Sequence, residues 1–170
     1  MAHPLPHSPG PVWLVRLRPP VAALVVAAAL ALPACDGSAP GDEPARACAA
    51  IGVPETGSVT ATTPDGPFET ACASVTGADG LLVIAREPGA GPLAGRTVEL
   101  YVDGLGPGTY TVGADDRSAL AAYGPGPGAT APARSGSITV ESSEGGLRGT
   151  FAFVTAAGAE VTGGRFDLDL

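Results

Sequence analysis

Apolar and polar residues alternate along several segments of the chain, and this alternation is the main indication of its fold. Val98, Leu100 and Val102 fall on one face of a predicted strand, and the residues between them fall on the other. Residues 137–141 repeat the pattern. A period of two is typical of half-buried antiparallel strands, so each segment predicts a strand with one face in the core.

Two further segments extend this prediction. Residues 81–85 are apolar at every position, which predicts a central strand covered on both sides. Residues 165–170 form the clearest alternating segment, and there the predicted buried face consists of Phe166, Leu168 and Leu170.

Between the predicted strands lie short segments rich in Gly, Pro and Asp. They recur at intervals of 11 to 21 residues, at 65–67, 77–80, 88–91, 104–108, 124–128, 145–146 and 163–164. Such residues favour tight turns. We therefore predict an all-β domain, an antiparallel sandwich or barrel of about eight or nine strands. A short helix is expected only over residues 115–122, where Asp115 and Asp116 could cap it.

The start of the chain carries the pattern of an export signal. Arg16 and Arg18 form a short basic region, and residues 21–32 are an unbroken run of Val, Ala and Leu. This run has the length of a signal-peptide core and falls short of the ~20 residues that span a bilayer. We predict a signal peptide over residues 1–34.

Residues 32–35 read Leu-Pro-Ala-Cys and resemble the lipobox of bacterial lipoproteins. In that family, lipid is attached to the cysteine thiol and the chain is cleaved before it. We therefore expect a protein of the bacterial cell envelope, held to a membrane by lipid on Cys35 and facing the extracytoplasmic side. Two alternatives stay open: an ordinary secretory signal in which Cys35 is incidental, and an uncleaved anchor.

The segment after Cys35 is predicted to be a flexible tether, since residues 36–47 contain no β-branched or aromatic side chain. Residues 48–170 are enough for one domain with a single core. Cys48 and Cys72 are the remaining thiols, and an even number in an oxidising compartment favours one disulfide between them. Two separate buried cysteines are the alternative.

Composition limits the chemistry of the mature chain. His3, His7 and Trp13 precede the predicted cleavage site, and lysine is absent throughout. Without histidine or lysine, a Ser-His-Asp site, a Schiff base and an imidazole metal site are excluded. Residues 35–170 carry seven Arg against seventeen Asp and Glu, a formal charge of −10, which disfavours nucleic acid as a partner. No cofactor is expected.

Carboxylates and tyrosines remain as candidate functional residues. Loop aspartates could hold Ca²⁺, although their spacing matches no dedicated calcium loop and turn formation explains them more simply; these are Asp65, Asp103, Asp115 and Asp116. Asp167 and Asp169 could form a general acid and base pair, or a solvated strand face. A ligand surface could include Tyr101, Tyr110 and Tyr123, which would fit a core margin equally well.

Several phrases of the sequence resemble a family of small uncharacterised bacterial exported lipoproteins. They begin with residues 58–61 and 66–68 and continue through GTYTVG (108–113), SGSITV (135–140), GTFAF (149–153) and GRFDL (164–168). The resemblance implies an all-β domain over residues 58–170. It implies no activity, because the shared phrases consist of turn and core residues.

Three classes of function fit the sequence. The first is a non-catalytic binding or interaction module on a lipid anchor, with an envelope protein or a small ligand as partner. The second is a structural envelope lipoprotein, and the third is a carboxylate-based hydrolase. An apolar pocket inside the domain would favour a ligand, and a filled core with an exposed apolar patch would favour a protein partner. Two carboxylates in one cleft would favour the hydrolase.

Overall fold

The computed structural model describes residues 42–170, apart from residues 78, 92, 105 and 114–117. The described residues form one helix and nine strands. They are α1 (Asp42–Ala50), β1 (Glu55–Thr63), β2 (Gly66–Thr76), β3 (Leu81–Arg86), β4 (Thr97–Val102), β5 (Gly108–Gly113), β6 (Ala119–Gly126), β7 (Ala129–Ser142), β8 (Leu147–Thr155) and β9 (Glu160–Leu168).

The strands form a closed barrel in the order β1-β2-β3-β4-β6-β5-β7-β8-β9. All neighbouring pairs are antiparallel except β5 and β6, which meet in parallel at Val112 and Ala119. The long strand β7 pairs with β6 through its first half and with β5 through its second half. The all-β prediction is confirmed, and of the two predicted architectures the chain forms the barrel.

Most of the predicted strand faces are correct. Val98, Leu100 and Val102 are buried in the barrel core. Phe166 and Leu168 are also buried, as predicted. The prediction for Leu170 is wrong, since its side chain is 71% exposed. The reason is that β9 ends at Leu168, so alternation no longer directs the last side chain into the core.

Two other local predictions fail. Strand β3 is covered on one side only: Leu81, Val83 and Ala85 are buried, whereas Leu82 and Ile84 are half-buried. Of the predicted helix over residues 115–122, the described part from Ala119 onward belongs to strand β6. It alternates between buried and exposed positions because it pairs residue by residue with β4.

Three phenylalanine rings fill the interior next to β7, β8 and β9. Phe151 stacks with Phe153 at 6.2 Å and with Phe166 at 6.4 Å between ring centroids. Each pairs across the sheet with a glycine: Phe153 with Gly136, Phe166 with Gly149 and Phe151 with Gly164. A Cβ at Gly149 or Gly164 would overlap the opposite ring, whereas one at Gly136 would overlap the main chain of Ala152 and Phe153. The missing Cβ atoms of Gly149 and Gly164 make room for the rings of Phe166 and Phe151, so a larger residue at either glycine would displace a core ring.

We expect Gly149→Ala to lower the free energy of unfolding by about 1–3 kcal/mol, the usual cost of an overpacked core. A Cβ at this position would overlap the carbonyl oxygen of Thr139 and the ring of Phe166. Urea unfolding measures the change. The control is Gly126→Ala, also in a strand, where an added Cβ meets no atom within 4 Å. Equal stability of the two variants would contradict this packing.

Helix α1 is attached to the barrel by a disulfide between Cys48 and Cys72, as predicted. The Cα atoms of the two cysteines are 5.0 Å apart. Together with Ile51 and Val53 they form a small buried cluster separate from the barrel core. The Thr70 hydroxyl accepts a hydrogen bond from the Cys72 N–H, which stabilises β2 at the point where the helix packs.

Residues 42–47, predicted to belong to the tether, form the first part of α1. The helix ends in a Schellman motif, in which the Val53 N–H donates to the Cys48 carbonyl and the Gly52 N–H to that of Ala49. A helix this short is marginal alone, so the disulfide and the small cluster supply the tertiary contacts that stabilise it. Within the described residues no helix is long and apolar enough to cross a membrane.

Candidate functional site

An apolar surface covers the outside of strands β3, β4 and β6. Leu82 pairs across the sheet with Tyr101, and Tyr101 pairs with Leu120, so the three side chains form one row. We call this surface, together with its neighbours, the apolar face; it consists of Leu82, Ile84, Tyr101, Leu120, Ala122 and Pro132. It exists because β3 is apolar at both its inward and its outward positions.

The apolar face is both concave and accessible. Leu82, Tyr101, Leu120 and Pro132 line a groove of about 280 Å³. Leu120 is 53% exposed, although large apolar side chains in strands are usually buried. Burying such a surface stabilises a complex by about 25 cal/mol per Å² of apolar area, before the costs of association.

One carboxylate lies within the apolar face. Glu99 is half-buried between Ile84 and Ala122, its direct neighbours on β3 and β6. Within the described part of the chain its side chain makes no hydrogen bond or ion pair. An unpaired charge in an apolar surface favours a partner that brings a polar or basic group to it and disfavours contact with hydrocarbon.

The opposite side of the barrel, formed by β1, β8 and β9, is polar. A groove of about 260 Å³ there is lined by hydroxyl and charged side chains: Ser58, Thr60, Thr150, Glu141, Arg148, Arg165 and Asp167. Arg148 and Asp167 form an exposed ion pair at 2.9 Å. This contrast shows that the apolar face is a local feature of one side of the barrel.

A polar cluster, which the sequence analysis did not predict, closes one end of the barrel. The guanidinium of Arg96 binds both carboxylate oxygens of Glu87 at 2.6 Å. It also donates to the Thr63 hydroxyl and to the carbonyl oxygens of Asp65, Gly66 and Pro67. Its hydrogen bond with Glu87 raises the pKa of Arg96. All the donors of Arg96 are used, so the cluster holds the β1–β2 turn and leaves no guanidinium N–H for a ligand.

Tyr123 belongs to the same cluster. Its hydroxyl donates to the Asp65 carboxylate at 2.7 Å, and burial raises the pKa of the phenol. Asp65 and Tyr123, two of the candidate functional residues, are therefore in contact, although they are 58 positions apart in the sequence. Their shared role is the structural one of fixing the turn against β6.

The other candidate residues lie apart from one another. Asp167 is paired with Arg148, and Asp169 lies beyond the end of β9 and lines a different groove. Tyr101 is part of the apolar face, and the Tyr110 hydroxyl donates to the carbonyl of Gly106.

Three of the predicted site residues, Cys35, Asp115 and Asp116, lie outside the described residues. Among the residues that are described, no group of three or more His, Cys, Asp or Glu side chains could hold a metal ion. Comparison with protein families, with curated proteins and with solved structures found no match for this chain. The resemblance to exported lipoproteins therefore stays a prediction.

Proposed function

We propose that the protein is a lipid-anchored, non-catalytic interaction module of the bacterial envelope, which binds a protein partner through its apolar face. The observation that carries this proposal is the exposure of Leu120 in a row with Leu82 and Tyr101. Phenylalanine rings occupy the barrel interior, so the apolar surface open to a partner lies on the outside. A filled core with an exposed apolar patch favours a protein as the partner.

The chemistry of the face argues for a different protein as its partner. A lipid surface fits poorly, because the Glu99 carboxylate would enter the hydrocarbon and the acidic chain would repel anionic headgroups. A second copy fits poorly as well, since two-fold symmetry would bring the two Glu99 side chains towards each other in a complex of two acidic chains. A partner surface with apolar side chains and a basic group matches both properties.

Photo-crosslinking in cells tests this interface. A photoreactive amino acid at position 120 is expected to give a discrete crosslinked protein, because Leu120 is accessible and central in the apolar face. The product should disappear when Tyr101→Asp is added, since a charge there opposes burial of the groove. The control is the same probe at position 150, on the polar side of the barrel. A product that forms equally from both positions, or one that contains only lipid, would refute the proposed interface.

Attachment through Cys35 is tested separately. We expect the wild-type protein to stay with membranes through a high-salt wash, because two acyl chains suffice for stable binding at about 0.8 kcal/mol per buried methylene. Cys35→Ser should move the protein to the soluble fraction. The matched control is Ser38→Ala in the predicted tether, which leaves the lipobox unchanged. If Cys35→Ser still pelleted with membranes, lipidation would not be the means of attachment.

A further inference from the structure

In the part of the chain that the structure describes, the barrel wall lacks one strand segment at the end next to α1. Strand β2 continues past the start of β1, since Glu55, the first residue of β1, already pairs with Cys72. Residues 74–76 pair with β3 alone. On the other side of the gap, the Asp169 N–H donates to the Thr56 carbonyl, so residue 169 lies beside the start of β1. A gap one strand wide therefore separates residues 74–77 from residues 169–170, and we call it the strand slot.

The edge of β2 that faces the strand slot has an unpaired main-chain donor and acceptor. The Ala73 N–H donates to the Pro54 carbonyl and the Ala73 carbonyl accepts from the Thr56 hydroxyl, so both groups point away from β3. Main-chain groups of residues i and i+2 point the same way in a strand, so those of Val75 point into the slot. Neither has a backbone partner within the described residues.

The strand slot has the size and lining of a peptide site. It encloses about 650 Å³ and is lined by Val75, Leu81 and Leu170, with Asp169 at its rim. Leu81 is 7% exposed and forms part of the barrel core, so its contact surface in the slot is apolar. Residues 74–77 span about 13 Å in an extended strand, enough for three or four residues of a partner.

We propose that the strand slot binds an extended peptide segment of another protein, which adds a short strand to the edge of β2. The segment donates to the Val75 carbonyl, accepts from the Val75 N–H, and places an apolar side chain against Val75 and Leu81. Strand addition of this kind takes affinity from main-chain hydrogen bonds and specificity from alternate side chains. An acidic segment is disfavoured by Asp169 and by the formal charge of −10 that residues 35–170 carry.

Two other occupants fit the strand slot less well. The part of the predicted tether that precedes α1, residues 36–41, contains Gly37, Pro40 and Gly41 and no β-branched residue, so its sequence disfavours a strand. A second copy of the barrel could offer only its own residues 74–76, and these carry β3 on their other edge, for which a slot one strand wide has no room. A slot bounded by β2 on one side and residues 169–170 on the other admits only a free extended segment.

The proposal is tested by selecting binders from a random peptide library on the full-length protein in detergent. We expect enriched peptides with β-branched or other apolar residues at alternate positions and few Asp or Glu. Their affinity should fall roughly tenfold or more for Val75→Pro, which removes the N–H that faces the slot and no bond to β3. Val75→Thr keeps the N–H and the shape of the side chain, and should bind as the wild type does.

An N-methyl scan of the enriched peptide keeps the test decisive if Val75→Pro fails to fold. Main-chain pairing predicts that N-methylation abolishes binding at alternate residues and is tolerated between them. Binding that tolerates N-methylation everywhere would overturn the proposal, as would a library that yields no binder. Protection of the Val75 amide in the free protein, lost when residues 36–41 are deleted, would also overturn it, because the chain would then fill its own slot. If Leu120→Asp leaves the affinity of the enriched peptides unchanged, the peptides bind at a site other than the apolar face.

Discussion

Replacement of Arg96 by methionine is expected to lower the free energy of unfolding by about 3 kcal/mol, in the range found when one partner of a largely buried ion pair is removed. The side chains of Arg96 and Glu87 are only 19% and 20% exposed. Arg96→Met would leave the Glu87 carboxylate without its cation and the carbonyl oxygens of Asp65 and Pro67 without the guanidinium donor. The Gly66 carbonyl would keep its hydrogen bond from the Thr63 hydroxyl. The turn would lose its attachment, and the charge of Glu87 would lose its partner.

Urea unfolding measures this effect as a shift of the midpoint at an unchanged slope. Arg96→Lys should fall between the wild type and Arg96→Met, because an ammonium keeps the charge and cannot make the paired contacts of a planar guanidinium. The control is Arg148→Met, which removes an arginine from an exposed ion pair with Asp167 and is expected to leave stability nearly unchanged. If Arg96→Met and Arg148→Met were equally stable, the polar cluster would not hold the end of the barrel.

The second large effect concerns the disulfide. We expect the double variant Cys48→Ala, Cys72→Ala to lose about 3.5 kcal/mol, the chain-entropy value for a loop whose ends are 24 positions apart. The bridge encloses β1 and the part of β2 that pairs with it, so its loss relaxes the unfolded chain and frees α1 from the barrel. Because α1 has few other contacts, its amides should exchange rapidly while those of β4 and β8 stay protected.

Reduction of the wild-type protein provides the matched comparison. Reduced wild type and the double variant should unfold at the same lower urea concentration, and the oxidised wild type at a higher one. Circular dichroism and amide exchange of both forms report whether the barrel persists. An oxidised protein no more stable than the reduced one would show that the bridge is incidental to folding.

The fold could be predicted where a strand has one solvent-exposed face and one buried face. Residues 97–102 and 137–141 carry that pattern, and the structure places their apolar positions in the core. Prediction failed where a neighbouring element decides the outcome. Leu170 has the right period and lies past the last pairing partner. Residues 42–47 have the composition of a tether and form helix because the disulfide fixes α1 to the barrel.

The candidate site was harder to predict, because its residues come from separate strands. Tyr101 was a candidate from its residue type, whereas Leu82 and Leu120 become its neighbours only through the pairing of β3, β4 and β6. The continuous apolar run at residues 81–85 was the available signal, since a strand apolar at every position in a barrel must expose one side. Arg96 and Asp65 are likewise far apart in sequence and meet only when the barrel closes.

Thiol labelling at the apolar face tests the proposed interaction most directly. Leu120→Cys places a single free thiol there, since Cys48 and Cys72 are bridged and Cys35 is proposed to carry lipid. In native membranes, labelling of this thiol by a membrane-impermeant maleimide should be slow compared with Thr150→Cys on the polar side, and extraction and purification should make the two rates similar. Equal rates for the two positions in native membranes would contradict a protein partner on the apolar face.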